Sequence, residues 1–266
     1  MSFFAIVFAL LLEQVRPMPL TQAAYGWALA WVRSCARSLD AGRKKHGWLL
    51  WSCAVGLPAL LAWGVHAALL ASGGWVGAVL AFAWNVAVLY CTLGFRQFSH
   101  HFSRIRQALD DGDFKRAAQL LARWHQGGNV DASDPQHLTQ VLMNYGVIAA
   151  HRHVFAVLGW YTVLAAIGLG PAGAVLYRMA ALVAYYFRAE TQDELYGSRF
   201  ADELAADADA VPSVGSPSSQ QVVQTAWRAV DYVPARSSAA AFAVVGNFEE
   251  VVEAWRSAAA DKTRIE

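Results

Sequence analysis

The chain has 266 residues, of which 56% are hydrophobic and 15% charged, with a net charge of +1 and a mean hydropathy of +0.30. An average soluble domain is about 45–50% apolar and about 25% charged, so these figures exclude a disordered chain and a disulfide-stapled miniature and point to a membrane protein. The balanced charge and the lack of a nucleic-acid-binding motif exclude nucleic acid as a partner.

Residues 2–12 are apolar but about half the length of a span, with no basic region before them and no small-residue cleavage site after them. They read as an apolar helix, partly embedded or spanning, rather than a cleavable signal. Cys35, Cys53 and Cys91 follow no metal-ligand spacing and read as reduced structural residues.

From Lys45 to Arg96 the chain passes through 50 residues without Asp, Glu, Lys or Arg. A spanning helix takes about 20 apolar residues, so this gap holds two, 48–71 and 75–93, with Ser72-Gly73-Gly74 as the turn of a membrane hairpin.

Beyond it Phe95, Phe98, Phe102, Ile105 and Leu109 recur at steps of three and four with Arg96, Arg104 and Arg106 between them, which predicts an amphipathic helix. Asp110-Asp111-Gly112-Asp113 supplies a glycine stop and an N-cap carboxylate, and Phe114, Ala117, Leu121 and Trp124 resume the stripe. The same Asp110, Asp111 and Asp113 are the candidates for a Mg²⁺ site, beside their plain reading as turn and cap. Residues 125–133 form a polar loop; Asp134-Pro135 opens a helix lined by Leu138, Val141, Leu142, Tyr145 and Ile148 that runs on toward the membrane.

A second uncharged gap, 153–177, is followed by Arg178 and apolar sequence to Phe187. Gly168-Leu169-Gly170-Pro171 breaks it into a second hairpin with arms 154–169 and 172–187, with a single bent span as the competing reading. Arg178 needs a partner within an apolar helix; Glu13, a backbone carbonyl, Asn85, a lipid phosphate and an anionic ligand are the candidates. His100-His101 and His151-Arg152-His153 are too closely spaced to ligate a metal from one helix face, and the second reads as a cationic collar at the interface.

Residues 190–209 are acidic, 211–219 read as a flexible linker, 221–230 as helix, and 234–246 as a short apolar stretch at the interface or against the bundle. Residues 13–47 hold six Lys and Arg, 94–152 seven, 188–266 seven, and the two hairpin turns none. The positive-inside rule places those segments in the cytoplasm of a bacterial inner-membrane protein.

Several stretches resemble the CobD/CbiB membrane proteins of cobalamin biosynthesis and their relative AmpE. They are Leu11-Leu12-Glu13-Gln14-Val15-Arg16-Pro17, Asp110-Asp111-Gly112-Asp113-Phe114, Gly170-Pro171-Ala172-Gly173-Ala174-Val175-Leu176-Tyr177-Arg178 and Asp231-Tyr232-Val233-Pro234-Ala235-Arg236. For the enzyme branch the resemblance implies an ATP-dependent amide synthesis giving adenosylcobinamide or its phosphate, a corrinoid partner, and Mg²⁺ with ATP. Where that branch carries Glu-Asn-Thr-x-Asp-Gly, however, this chain has Ala150-His151-Arg152-His153-Val154-Phe155, and after Tyr177-Arg178 it continues with Met179-Ala180-Ala181 in place of an Asn-Thr-x-Asp segment.

The expectation is an all-α polytopic protein: an N-terminal apolar helix and first hairpin (1–94), a cytoplasmic helical loop (95–152), a second hairpin (153–188) and a cytoplasmic tail (189–266). Arg178 and Arg236 are the expected anion contacts, and membrane lipid and a corrinoid intermediate the expected partners. The alternative is an AmpE-like membrane sensor without catalysis.

Overall fold

The computed structural model describes residues 2–15, 20–93, 95–125, 135–187 and 215–245. The acidic segment and the loop expected at 125–133 fall almost wholly outside them. All regular structure in the described residues is helical, as expected: α1 (Ser2–Val15), α2 (Leu20–Leu39), α3 (Lys44–Trp51), α4 (Leu57–Ala71), α5 (Gly74–Thr92), α6 (Phe95–Asp110), α7 (Phe114–His125), α8 (Pro135–Ala150), α9 (Ala156–Ala166), α10 (Ala172–Tyr186) and α11 (Pro217–Val245). Cys35, Cys53 and Cys91 form no disulfide.

Among the described residues three helices are long and apolar enough to cross a membrane. The first, Lys44–Ala71, joins α3 to α4 through a π-helical turn at Ser52–Gly56, and the second is α5, Gly74–Thr92. Pro58 has no N–H to give the ladder and follows directly on that widened turn, which is where the α-helical register changes. Between the two helices Gly73 and Gly74 both take positive φ, +78° and +66°, a conformation that side chains with a Cβ resist. The third, Pro135–Ala166, is 32 residues long and joins α8 to α9 through a second π turn at His151–Phe155.

The expected second hairpin takes a different form. Its first arm is the upper part of this 32-residue helix, and its second arm, α10, has 15 residues and is buried on nearly every side. α10 packs against α2, α4, α5, α9, α11 and the first π turn, so it is the central post of the bundle rather than a lipid-facing span. Small residues make this possible: a Cβ at Gly173 would collide with the backbone carbonyl of Trp160, so α9 and α10 touch backbone to backbone.

The buried Asn85 is fully paired at this depth. Asn85, on α5, donates from Nδ2 to the Ala81 carbonyl at 2.7 Å, lies 3.0 Å from Nδ1 of His66 on α4, and accepts the Tyr161 hydroxyl of α9 at 3.2 Å. With no water to satisfy them, such groups must find each other, and here they tie three helices together.

The helices α6, α7 and α8 form a second hydrophobic cluster around Ile105, Ala117, Leu121, Leu138, Leu142 and Tyr145. The tail differs from its sequence reading. Residues 217–245 form one helix, and positions 217–219, expected in a linker, begin it. Asp40, between α2 and α3, is the reason: Oδ2 accepts the Ser216 N–H at 2.7 Å, and Oδ1 accepts the hydroxyls of Ser216 and Ser219 at 2.5 and 2.8 Å. An Asp so placed anchors the first turn of α11 from another part of the chain. Burial raises the Asp40 carboxyl, but the hydrogen bonds from Ser216, Ser219 and the Gly42 N–H outweigh it and hold it below the ordinary carboxylate range.

Candidate functional site

The polar groups of α8, α9, α10 and α11 meet at one junction. Asp231, on α11, uses a single carboxylate oxygen, Oδ1, to accept the Tyr177 hydroxyl at 2.7 Å and to meet Nε2 of His151 at 3.1 Å. The other ring nitrogen of His151, Nδ1, lies 2.9 Å from the Ser238 hydroxyl. Tyr177 is fully buried, and His151 and Ser238 nearly so. Four side chains from three helical stretches, far apart in sequence, thus form one chain of hydrogen bonds. Burial raises the Asp231 carboxyl, but the bonds from His151 and Tyr177, reinforced by the Arg152 charge, hold it below the ordinary range.

Local structure explains why these residues converge. His151 opens the π turn, whose wider register shifts side-chain direction within a long helix. On α11, Pro234 lies inside the helix and has no N–H for the Val230 carbonyl four residues earlier. That carbonyl instead accepts the indole N–H of Trp160 on α9 at 3.1 Å. The proline therefore creates an acceptor that docks α11 onto the membrane helix, one residue before Asp231.

Arg178, next to Tyr177, has Nη1 3.1 Å from Nδ1 of His153, a partner outside the set expected from sequence. Since a guanidinium can only donate, His153 accepts at Nδ1 and carries its proton at Nε2. Arg236 is exposed on α11 with its guanidinium 3.5 Å above the Tyr232 ring, a cation–π contact.

Asp110, Asp111 and Asp113 lie elsewhere, on the exposed turn between α6 and α7. Gly112 takes φ +74°, the Asp113 N–H returns to the Ala108 carbonyl at 2.9 Å, and Asp113 Oδ1 accepts the Arg116 N–H at 3.1 Å. This is a glycine C-cap followed by an N-cap. Asp110 makes a solvent-exposed ion pair with Arg106 at 3.7 Å. Among the described residues no three His, Cys, Asp or Glu side chains are grouped to hold a metal, and in the acidic turn Asp113 serves as a helix cap and Asp110 as an ion-pair partner.

Sequence reasoning named Arg178, Arg236 and the acidic turn, and missed His151 and Ser238. His151 was visible only as part of a basic collar. The signal that could have marked it is Asp231, the one acidic side chain of α11.

The fold and the junction define a polytopic helical membrane protein whose short central helix carries a Tyr-Arg pair into a buried polar network. The chain belongs to the CobD/Cbib protein family, which it matches over residues 2–184. It is 24% identical over 180 residues to a "Cobalamin biosynthesis protein CobD" of Chromobacterium violaceum, covering 65% of this chain and 47% of that one. It is 25% identical over 228 residues to a protein of the same name from Stutzerimonas stutzeri, covering 82% of this chain and 60% of that one. The chain thus spans about half to three fifths of the length of these relatives. No solved structure gives a significant match.

Proposed function

We propose that this protein works in cobalamin biosynthesis at the bacterial inner membrane, at or beside the adenosylcobinamide-forming step. Family membership and the name shared by the two relatives support the pathway. The observation that carries the site is the polar junction on α10, where Tyr177 holds the Asp231 carboxylate together with His151 and the adjoining Arg178 meets His153. A buried network of polar and ionisable groups is costly to assemble and is a candidate functional site for that reason. Arg178 is the contact for an anionic group of a corrinoid intermediate. Asp231 Oδ1 is committed to His151 and Tyr177, so Oδ2 is the oxygen that would meet a donor on that intermediate.

The use of Asp113 as a helix cap favours an accessory that holds the intermediate over a diverged amide synthase. The same observation supports the second reading, an AmpE-like sensor without catalysis. Deletion of the protein in its own host, grown where cobalamin must be made de novo, should lower corrinoid content. Wild type restores it and Arg178→Ala does not. Unchanged corrinoid content in the deletion would overturn the pathway reading. Rescue of a strain lacking its cobinamide synthase would overturn the accessory reading in favour of catalysis.

A further inference from the structure

The placement of α11 points to a lipid contact that the junction does not use. This helix lies across the feet of the long helices. Near its start, Ser219 and Val222 press on Gly47, where a Cβ would sit 3.2 Å from each, and the Ser218 hydroxyl donates to the Gly42 carbonyl at 2.8 Å. Farther on, Gln224 reaches the Ala184 carbonyl at the end of α10 at 3.1 Å, Ser238 meets His151, and Phe242 stacks edge-on against Phe155 with 5.6 Å between ring centres. The segments it touches carry the cations that flank the uncharged stretches, Lys44 and Lys45 at one end and Arg152 and His153 at the other. Such residues collect at the level of the lipid headgroups.

The inward face of α11 is spent on the bundle, through Val222, Val223, Ala226, Trp227 and Asp231. The outward face carries Arg228, Tyr232, Val233 and Arg236 at helical spacing, all exposed, with Tyr232 at 54% and Val233 at 65%. Its charge is positive: Asp231 is turned inward, and Asp40, beside the helix start, is taken up by Ser216 and Ser219. Large apolar side chains beside guanidinium groups suit an amphipathic anion. The Tyr232 ring supports the Arg236 guanidinium by its face and leaves its N–H edges directed outward, the geometry that binds phosphate oxygens in pairs. A free phosphate would make no use of the exposed Val233, whereas a phospholipid places its glycerol and upper acyl carbons there.

We propose that this face of α11 is a docking site for the headgroup of an anionic phospholipid, with the phosphate against Arg236 and Arg228 and the glycerol and upper acyl carbons against Val233. The proposal rests on the membrane fold and is independent of the cobalamin reading.

The test is native mass spectrometry of the full chain released from zwitterionic micelles doped with either phosphatidylglycerol or phosphatidylcholine. Wild type should retain phosphatidylglycerol preferentially. Arg236→Ala should weaken that retention about fivefold, the effect of one basic residue near an anionic surface, and leave phosphatidylcholine unchanged. Arg236→Lys should recover part of it, since the charge returns but the planar stack does not. Because Arg236 is exposed, the variants keep the wild-type unfolding midpoint; if Arg236→Ala does not, the comparison rests on Arg236→Lys and Arg228→Ala. Equal retention of phosphatidylglycerol by wild type and the Arg228/Arg236 double alanine variant would overturn the proposal. So would full displacement by millimolar inorganic phosphate, which marks a free-anion site, or loss of a dimer peak in Arg236→Ala, which marks a contact between copies.

Discussion

The contact between Trp160 and Val230 gives a prediction in which one lost hydrogen bond can be separated from lost packing. Trp160→Phe removes the indole N–H that the Val230 carbonyl accepts at 3.1 Å. With proline at 234 that carbonyl has no backbone donor four residues on, so it is left unpaired beside an apolar helix. A buried polar group in that state costs about 1–3 kcal/mol. The smaller ring also costs packing, by an amount equal in any background that keeps the helix. Pro234→Ala supplies the missing N–H, which closes the helical ladder onto Val230 and frees the carbonyl from its need for Trp160. Trp160→Phe should therefore destabilise the wild-type background more than the Pro234→Ala background, with a coupling of about 1–2 kcal/mol. Equilibrium unfolding of the four proteins in mixed micelles measures it as a double-mutant cycle. A coupling under about 0.5 kcal/mol, the range within which independent sites add, would refute the account of Pro234 as the device that docks α11.

Two further outcomes are expected. Asp40 and Asp231 are both held below the ordinary carboxylate range in the folded chain, so their contribution is fully present above the unfolded value near about 3.9 and is lost as the pH falls through the lower folded values; unfolding free energy followed from about pH 5 to about pH 2 should fall more shallowly in Asp40→Asn than in wild type, and an unchanged slope would contradict the role given to Ser216 and Ser219. The counts of Lys and Arg predict that reporters fused at Gly73 and at Gly127 report opposite sides of the membrane, and agreement between the two would overturn the hairpin.

What the sequence made legible is what short-range rules control. The Ser72-Gly73-Gly74 turn follows from glycine's access to positive φ, and the stop and restart at Asp110-Asp111-Gly112-Asp113 follows from cap chemistry. The uncharged gaps located two of the three long helices because a bilayer excludes charge over a fixed thickness. Three things were hidden. The π turns at Ser52–Gly56 and His151–Phe155 change register without changing composition. The central place of α10 depends on which helices surround it, and an apolar 15-residue helix reads the same inside a bundle as against lipid. The pairing of His151 with Asp231 joins positions 80 residues apart through a turn of unusual register, so no local pattern could announce it.

The family match ends at residue 184, yet the helix beyond it completes the site that the matched region only begins. Tyr177 is fully buried on α10, and its hydroxyl donates to Asp231 on α11. Without that carboxylate it would face a cost of the same kind as the unpaired Val230 carbonyl. Trp160, His151 and Ala184 are in the same position, each partnered by α11 through its backbone or side chains. The apolar residues of α11 also cover α10, with the Trp227 ring 5.3 Å from that of Tyr177. A central helix buried on nearly every side requires a cover, and a basic, partly apolar outer face on that cover is what a structure at the level of lipid headgroups requires in turn. Asp231, with His151 and Tyr177 on one of its oxygens, is the residue at which these two demands meet.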